Sequence, residues 1–322
     1  MREFDLIARI RARVRSGEGV VLGIGDDAAI LEIGAGEQFV VSTDTLVSGV
    51  HFPLDTKPAD VGYKALAVNL SDLAAMGARP RFATLALSLP SVDPGFVEPL
   101  VEALIALGEA YGMTLVGGDT TRGPLSLTIT AIGSVPAGAA LRRDGAQAGD
   151  AIYVSGALGD AAAALALRGT QNGVDPANKL ARDRLAQRLA RPTPRVALGQ
   201  ALRGCAHACI DVSDGLAADL AHICVASGLA AVIDPLALPA SRALTMLVPD
   251  AERRLALQLA GDDYELCFTL APEREDELIA IAADQHVALT RIGTLGPGSG
   301  VHLLGTDGRL TACATSGYQH FA

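Results

Sequence analysis

The feature that most constrains this fold is a set of six short stretches that place acids among glycines, serines and threonines. They are Gly23-Ile-Gly-Asp-Asp27, Ser42-Thr-Asp-Thr45, Asn69-Leu-Ser-Asp72, Gly117-Gly-Asp-Thr-Thr121, Asp211-Val-Ser-Asp-Gly215 and Gly261-Asp-Asp-Tyr-Glu265. Each lies beside an apolar run with the period of a strand or helix. Singly, each is ordinary turn and helix-capping chemistry, because a short carboxylate accepts nearby backbone N–H groups. Gathered in one cleft, their mutual repulsion has to be offset by cations. Carboxylates and hydroxyls are the donors that hard divalent ions choose, and Mg²⁺ commonly brings phosphates with it.

The chain has 322 residues, longer than one typical core, so two domains are expected. Hydrophobic residues make up 50% and charged residues 19%, enough apolar material for a buried core. No apolar stretch reaches the roughly 18–20 residues of a membrane helix, and Met1-Arg-Glu-Phe-Asp5 does not open a signal peptide. A soluble, cytoplasmic protein is expected. The net charge of −10 argues against a nucleic-acid surface but not against anionic ligands, since bound Mg²⁺ reverses the local sign. Five cysteines without a C-x-x-C pair fit reduced thiols.

Periodicity predicts helices over 2–15, 60–76 (with Asp60 as N-cap) and 97–111, and strands over 38–44, 84–89 and 125–135. Pro136-Ala-Gly138 and the loop 142–149 punctuate the chain, giving expected domains of 1–137 and 138–322. Further strands are expected at 151–155, 208–212, 265–270, 288–292 and 301–304. Both halves read as mixed α/β.

The familiar phosphate grips are missing. Val20 to Ala28 matches G-x-G-x-x-A after a strand, but Asp26 and Asp27 would repel a pyrophosphate held directly at the helix start. There is no Gly-Lys pair, hence no lysine phosphate loop, and there are only three lysines. Phosphate charge is left to metal and to arginines; Arg122, Arg142 and Arg143 lie on glycine-containing loops, where they are either phosphate contacts or solvated charge. Asn69 and Asp72, three apart, share a helix face, so a cation on Asp72 has an amide beside it. His51, close after Ser42-Thr-Asp-Thr45, is either a structural ring or a ligand contact. No nucleophilic triad is evident.

The motifs GIGDDAA, STDTLV-x-G-x-H-F, YKALAVNLSDLAAMGA, GGDTTRGP, the Arg143 loop, IDVSDGL, DDYELCF and the terminal GYQHF, in that order, resemble the thiamine-monophosphate kinase family, a branch of the aminoimidazole-ribotide-synthetase-like ATP enzymes. The resemblance runs from residue 23 to 321 and rests most on YKALAVNLSDLAAMGA with GGDTTRGP. It implies an α/β (α+β) fold with an N-terminal β-rich, dimerising, ATP-binding domain and a C-terminal α/β domain. It implies a homodimer using ATP, several Mg²⁺ ions and thiamine monophosphate. Carried over by position, Asp27, Ser42, Thr43, Asp44, Asp72, Asp119, Asp211 and Asp214 are implied Mg²⁺ ligands, with turnover depending most on Asp72 and Asp214. Tyr111, Gly118, Asp119, Arg143 and Ser213 are implied ATP contacts; His51, Asp262 and Tyr318 are implied substrate contacts. This chain departs from the family where Asp262 replaces a glutamate, and it lacks the tryptophan some members carry near Gly317.

A phosphate-monoester acceptor, with a second pKa of about 6, is already largely anionic at neutral pH. No general base is then needed, and the expected task is positioning and charge neutralisation. Alternative readings are another ATP-dependent synthetase of the superfamily and a non-catalytic Mg–nucleotide sensor.

Overall fold

The computed structural model describes residues 3–24, 28–169, 175–314 and 317. It divides into two compact units, residues 1–73 with 78–140 and residues 74–77 with 141–322.

The first unit runs α1 (Glu3–Arg13), β1 (Val20–Leu22), β2 (Ile30–Leu31), β3 (Glu37–Val47), α2 (Pro58–Ala75), β4 (Arg79–Leu89), α3 (Pro94–Ala110), β5 (Thr114–Arg122) and β6 (Ser126–Pro136). Its main sheet has the order β3-β6-β4-β5, with only β4 and β5 parallel. In β6 the alternation is plain: Leu127, Ile129 and Ala131 are buried, while Thr128, Thr130 and Ile132 are half-buried. α2 is buried on most of its surface, so its apolar residues run almost without a break from Ala65 to Leu70. Gly62 permits its close approach to α3, since a Cβ there would stand 2.0 Å from the Leu100 carbonyl oxygen.

The helix expected to begin at Asp60 begins at Pro58, so Asp60 sits in its first turn. Proline suits that place because its missing N–H is not needed there. α3 likewise starts at Pro94, after Asp93, whose carboxylate accepts from Gly95 N–H.

The second unit runs β7 (Ala151–Ser155), α4 (Asp160–Ala166), α5 (Pro176–Ala190), α6 (Val196–Leu202), β8 (Ala208–Asp211), α7 (Leu216–Ser227), β9 (Ala230–Ile233), α8 (Arg242–Leu247), α9 (Ala251–Gln258), β10 (Leu266–Leu270), α10 (Glu275–Gln285), β11 (Leu289–Gly296), β12 (Gly300–Leu304) and β13 (Leu310–Ala312). A seven-stranded sheet has the order β13-β12-β9-β11-β7-β10-β8. β7, β8 and β10 are buried along their whole length, which is why they read as continuous apolar runs. One core joins Ile152, Val154 and Ile210 of the sheet to Leu216, Leu220 and Ile223 of α7. Burying each such side chain contributes about 1.5–3 kcal/mol. The sheet thus fixes the end of β8, from which the fifth acidic stretch emerges. No described helix is long and apolar enough to cross a membrane.

Candidate functional site

In the first unit the described acids of these stretches ride on regular elements: Asp44 and Asp72 on the strand and helix expected, Asp119 on a strand where a turn was expected. Ser42, Thr43 and Asp44 lie within β3, paired with Ala131, Thr130 and Ile129 of β6. β-Branched threonines suit a pleated surface, and pairing overrides the turn preference of Ser and Asp. Thr43 and Thr45 bond across to Thr130 and Thr128, Oγ1 to Oγ1, at 3.0 and 2.8 Å. Ser42 is half-buried, and its hydroxyl donates to Asp72 Oδ2 of α2 at 2.5 Å. One turn before Asp72, Asn69 is fully buried; its Nδ2 donates to the Ala65 carbonyl at 2.9 Å. Its Oδ1 has no hydrogen-bond partner among the described residues.

Gly117 to Thr121 is likewise extended, in β5 beside β4. Gly118 has φ +153°, and a Cβ there would stand 2.0 Å from the Leu85 carbonyl oxygen. Only glycine fits. Asp119 follows, exposed and paired with Ala86; with Gly118 it lines a cavity of about 90 Å³ walled by Ile7, Ile10 and Ile24. His51 is half-buried and accepts from Val47 N–H at Nδ1, 2.9 Å, so Nε2 carries the ring proton. Tyr111 closes α3, its N–H shared between the Leu107 and Gly108 carbonyls.

In the second unit two acidic stretches are laced together. Asp211 ends β8 and is buried; beyond it Ser213 is half-buried and Asp214 exposed. Val212 N–H donates to the Glu265 carbonyl, Asp262 N–H to the Ser213 carbonyl and Tyr264 N–H to the Val212 carbonyl, each at 2.8 Å. A Cβ at Gly261 would stand 2.2 Å from the Ser213 carbonyl oxygen, and one at Gly215 2.5 Å from that of Leu259. Gly317 is as tightly placed, its Cβ position 2.8 Å from the Asp214 carbonyl oxygen. Asp262 and Tyr264 both take positive φ, +77° and +52°. Among non-glycine residues aspartate tolerates this region well, which is a physical reason for Asp rather than Glu at 262.

Three further carboxylates hold these turns, and none was singled out from the sequence. Asp219, in the first turn of α7, is buried, and one oxygen accepts from the N–H groups of Ser213, Asp214 and Gly215 at 3.0, 3.1 and 3.0 Å. Burial, with the nearby Asp214 charge, pushes its pKa up to about 7 against the pull of those three bonds. Glu265 is buried and takes Arg195 bidentately at 2.6 and 2.7 Å, Arg188 at 2.9 Å and the Ser155 hydroxyl at 2.5 Å. Asp263, also buried, accepts from Gly159 N–H at 2.7 Å; burial drives its pKa well above the usual carboxylate value. The signal for Asp219 was available, an acid one turn into a helix that begins after Asp-Gly. Nothing in the sequence marked Asp263 or Glu265 as more buried than Asp262.

Arg143 is exposed, and its side chain has no hydrogen bond or ion pair among the described residues; its carbonyl accepts from the Ser227 hydroxyl at 2.9 Å. Neighbouring Arg142 is held by Asp144 at 2.8 and 2.5 Å. Asp27 and Tyr318 lie outside the described residues.

The donors fit Mg²⁺ by type: oxygen only, with a buried, unpartnered amide oxygen on Asn69 beside Asp72. No group of three His, Cys, Asp or Glu side chains that could hold a metal occurs among the described residues.

Residues 25–135 match the model of the AIR synthase related protein N-terminal domain, and residues 147–305 that of the C-terminal domain. The chain is 49% identical over 323 residues to thiamine-monophosphate kinase of Salmonella typhimurium, covering 99% of this chain and 98% of that one. It superposes on the crystal structure of thiamine-monophosphate kinase from Stenotrophomonas maltophilia with TM-score 0.88 and 52% identity, covering 97% and 98% of the two chains. A second solved structure, AaThiL complexed with AMPPCP and TMP, gives TM-score 0.78 and 32% identity, covering 100% and 99%.

Proposed function

This chain belongs to the thiamine-monophosphate kinase family of AIR-synthase-related proteins, and from that premise we propose that it transfers the γ-phosphoryl group of ATP to thiamine monophosphate, giving thiamine diphosphate. The observation that supports the reading is the lacing of two turns, which brings Ser213 and Asp214 beside Asp262; we assign the first pair to the nucleotide side and Asp262 to the substrate side. A binding protein that merely sensed nucleotide has no need for that juxtaposition.

The acceptor oxygen is anionic at neutral pH, so the chain need not remove a proton. Its work is to hold two anions in line and keep them from repelling. We assign Asp27, Ser42, Thr43, Asp44, Asp72, Asp119, Asp211 and Asp214 to Mg²⁺. Bound Mg²⁺ supplies charge neutralisation and orientation of the phosphates. The buried Asn69 amide oxygen, beside Asp72, supports part of that assignment. Gly118, Asp119, Arg143 and Ser213 are assigned to ATP, with Tyr111 beside the base or ribose. Arg143 suits a phosphate because its guanidinium is exposed while Arg142 is held by Asp144. His51, Asp262 and Tyr318 are assigned to thiamine monophosphate. His51 would donate from Nε2, the nitrogen left protonated by its Nδ1 bond.

We read residues 1–137 as the ATP- and Mg²⁺-binding domain and 138–322 as the second. The protein is taken to work as a homodimer through the open face of β3, where Phe39 and Val41 are 51% and 60% exposed. Free cysteines, four of them buried, fit a cytoplasmic protein.

The test is incubation of the purified protein with ATP, Mg²⁺ and thiamine monophosphate, followed by chromatography of the thiamine products. Thiamine diphosphate matched by ADP, and abolished by chelating Mg²⁺, is expected. ATP binding without either product would overturn the reading in favour of a sensor.

A further inference from the structure

Three backbone N–H groups converging on one point form the concave donor set that elsewhere receives a phosphate oxygen at a helix start. The turn before α7 has this form, with the amides of Ser213, Asp214 and Gly215 all directed to one place. Here the place is taken. Asp219 Oδ2 receives all three at 3.0–3.1 Å, and the side chain is buried, carried on the first turn of α7. The turn is closely packed: Gly215 lies against the Leu259 carbonyl, and Gly261 lies against the turn's own Ser213 carbonyl, with no room for a Cβ at either glycine. What the turn offers outward is the half-buried Ser213 and the exposed Asp214.

We propose that Asp219 is a positioning residue for phosphoryl transfer. It occupies the amide nest that would bind phosphate directly and thereby turns the Ser213–Asp214 segment into a cation-directed element. The inference rests on the functional reading above and deepens it. Phosphate reaches this turn through a divalent ion on side chains, not through the backbone. Asp219 touches neither ion nor substrate; it acts through the three amides.

The experiment compares the full chain with Asp219→Asn and Asp219→Ala. Amide hydrogen exchange of Ser213, Asp214 and Gly215 is followed by NMR in metal-free protein, and the Mg²⁺ requirement is then measured in the kinase assay. Exchange at the three amides is expected to quicken roughly tenfold or more in Asp219→Ala, since they lose a charge-assisted acceptor, with β8 unchanged. The Mg²⁺ concentration for half-maximal rate should rise roughly 10- to 100-fold, the usual cost of losing a group that orients a metal ligand. The KM for thiamine monophosphate should stay within about threefold, because Asp219 accepts only from the Ser213, Asp214 and Gly215 amides and the Asp262 N–H bond to the Ser213 carbonyl does not involve it. Asp219→Asn keeps one acceptor oxygen and should recover part of both losses. It also carries the test if Asp219→Ala does not fold. Wild-type exchange at the three amides, or an unchanged Mg²⁺ requirement in the folded variants, would overturn the proposal. If the wild-type chain makes no thiamine diphosphate, the functional reading fails, and the exchange arm still decides whether Asp219 holds the turn.

Discussion

The two units present acids by different means. In the first, Ser42, Thr43, Asp44 and Asp119 stand on strands and Asp72 on a helix, so the ladder of β3, β6, β4 and β5 sets their spacing. In the second, Ser213, Asp214 and Asp262 stand on irregular turns, held by the buried carboxylates of Asp219, Asp263 and Glu265. A regular element positions a side chain through many shared backbone bonds. A turn has few, so it needs dedicated partners, and some of the acids in an acidic motif serve as scaffolding.

The largest expected effect lies in that scaffolding. Glu265→Ala leaves Arg188 and Arg195, at 12% and 17% exposure, facing an empty buried site. Breaking such a pair from one side costs about 3–5 kcal/mol. Urea unfolding should show it, and a loss under about 1 kcal/mol would mean that the clamp does not brace the turn. Next comes the first unit. Asp72→Asn keeps an acceptor for the Ser42 hydroxyl, so stability should move by less than about 1 kcal/mol. Turnover should nonetheless fall by roughly a hundredfold or more, about 3 kcal/mol of barrier, through loss of metal charge. Near-normal turnover at ordinary Mg²⁺ would remove Asp72 from the metal set. The smallest effect is at Asp262→Glu. It adds reach toward substrate but places a less tolerant residue at φ +77°. The expected result is a KM for thiamine monophosphate lowered by roughly two- to fivefold, with stability reduced by about 1 kcal/mol or less. An unchanged KM would show that Asp262 does not face the substrate.

Much of this was legible in the sequence, unevenly. The strand 125–135 announced itself by its alternating apolar face and the helix at 60–76 by its long, nearly unbroken apolar run, and they are found at 126–136 and 58–75. The strand expected over 38–44 holds Ser42 to Asp44 within β3, whereas Gly117 to Thr121, expected as a turn, lies within β5. Short polar residues carry the same local signal on a turn and on a polar strand face, and only the partner strand decides between them. In Gly261-Asp-Asp-Tyr-Glu265 the three acids look alike in sequence. The fold leaves Asp262 half-buried at the surface and buries Asp263 and Glu265 as acceptors. Burial of that kind depends on Gly159, Arg188 and Arg195, which lie about 70 to 100 residues away.

The three glycines around the Ser213–Asp214 turn carry a consequence for how such a protein can diverge. Every possible change at Gly215, Gly261 or Gly317 adds a Cβ, and each would press on a neighbouring carbonyl oxygen at 2.5, 2.2 or 2.8 Å. No single substitution at these positions is silent, so they act as fixed points in sequence space. Variation in substrate handling has to be routed through side chains that leave the backbone path alone. Asp262 is such a position: it already carries a side chain at φ +77°, so a substitution there adds no new Cβ.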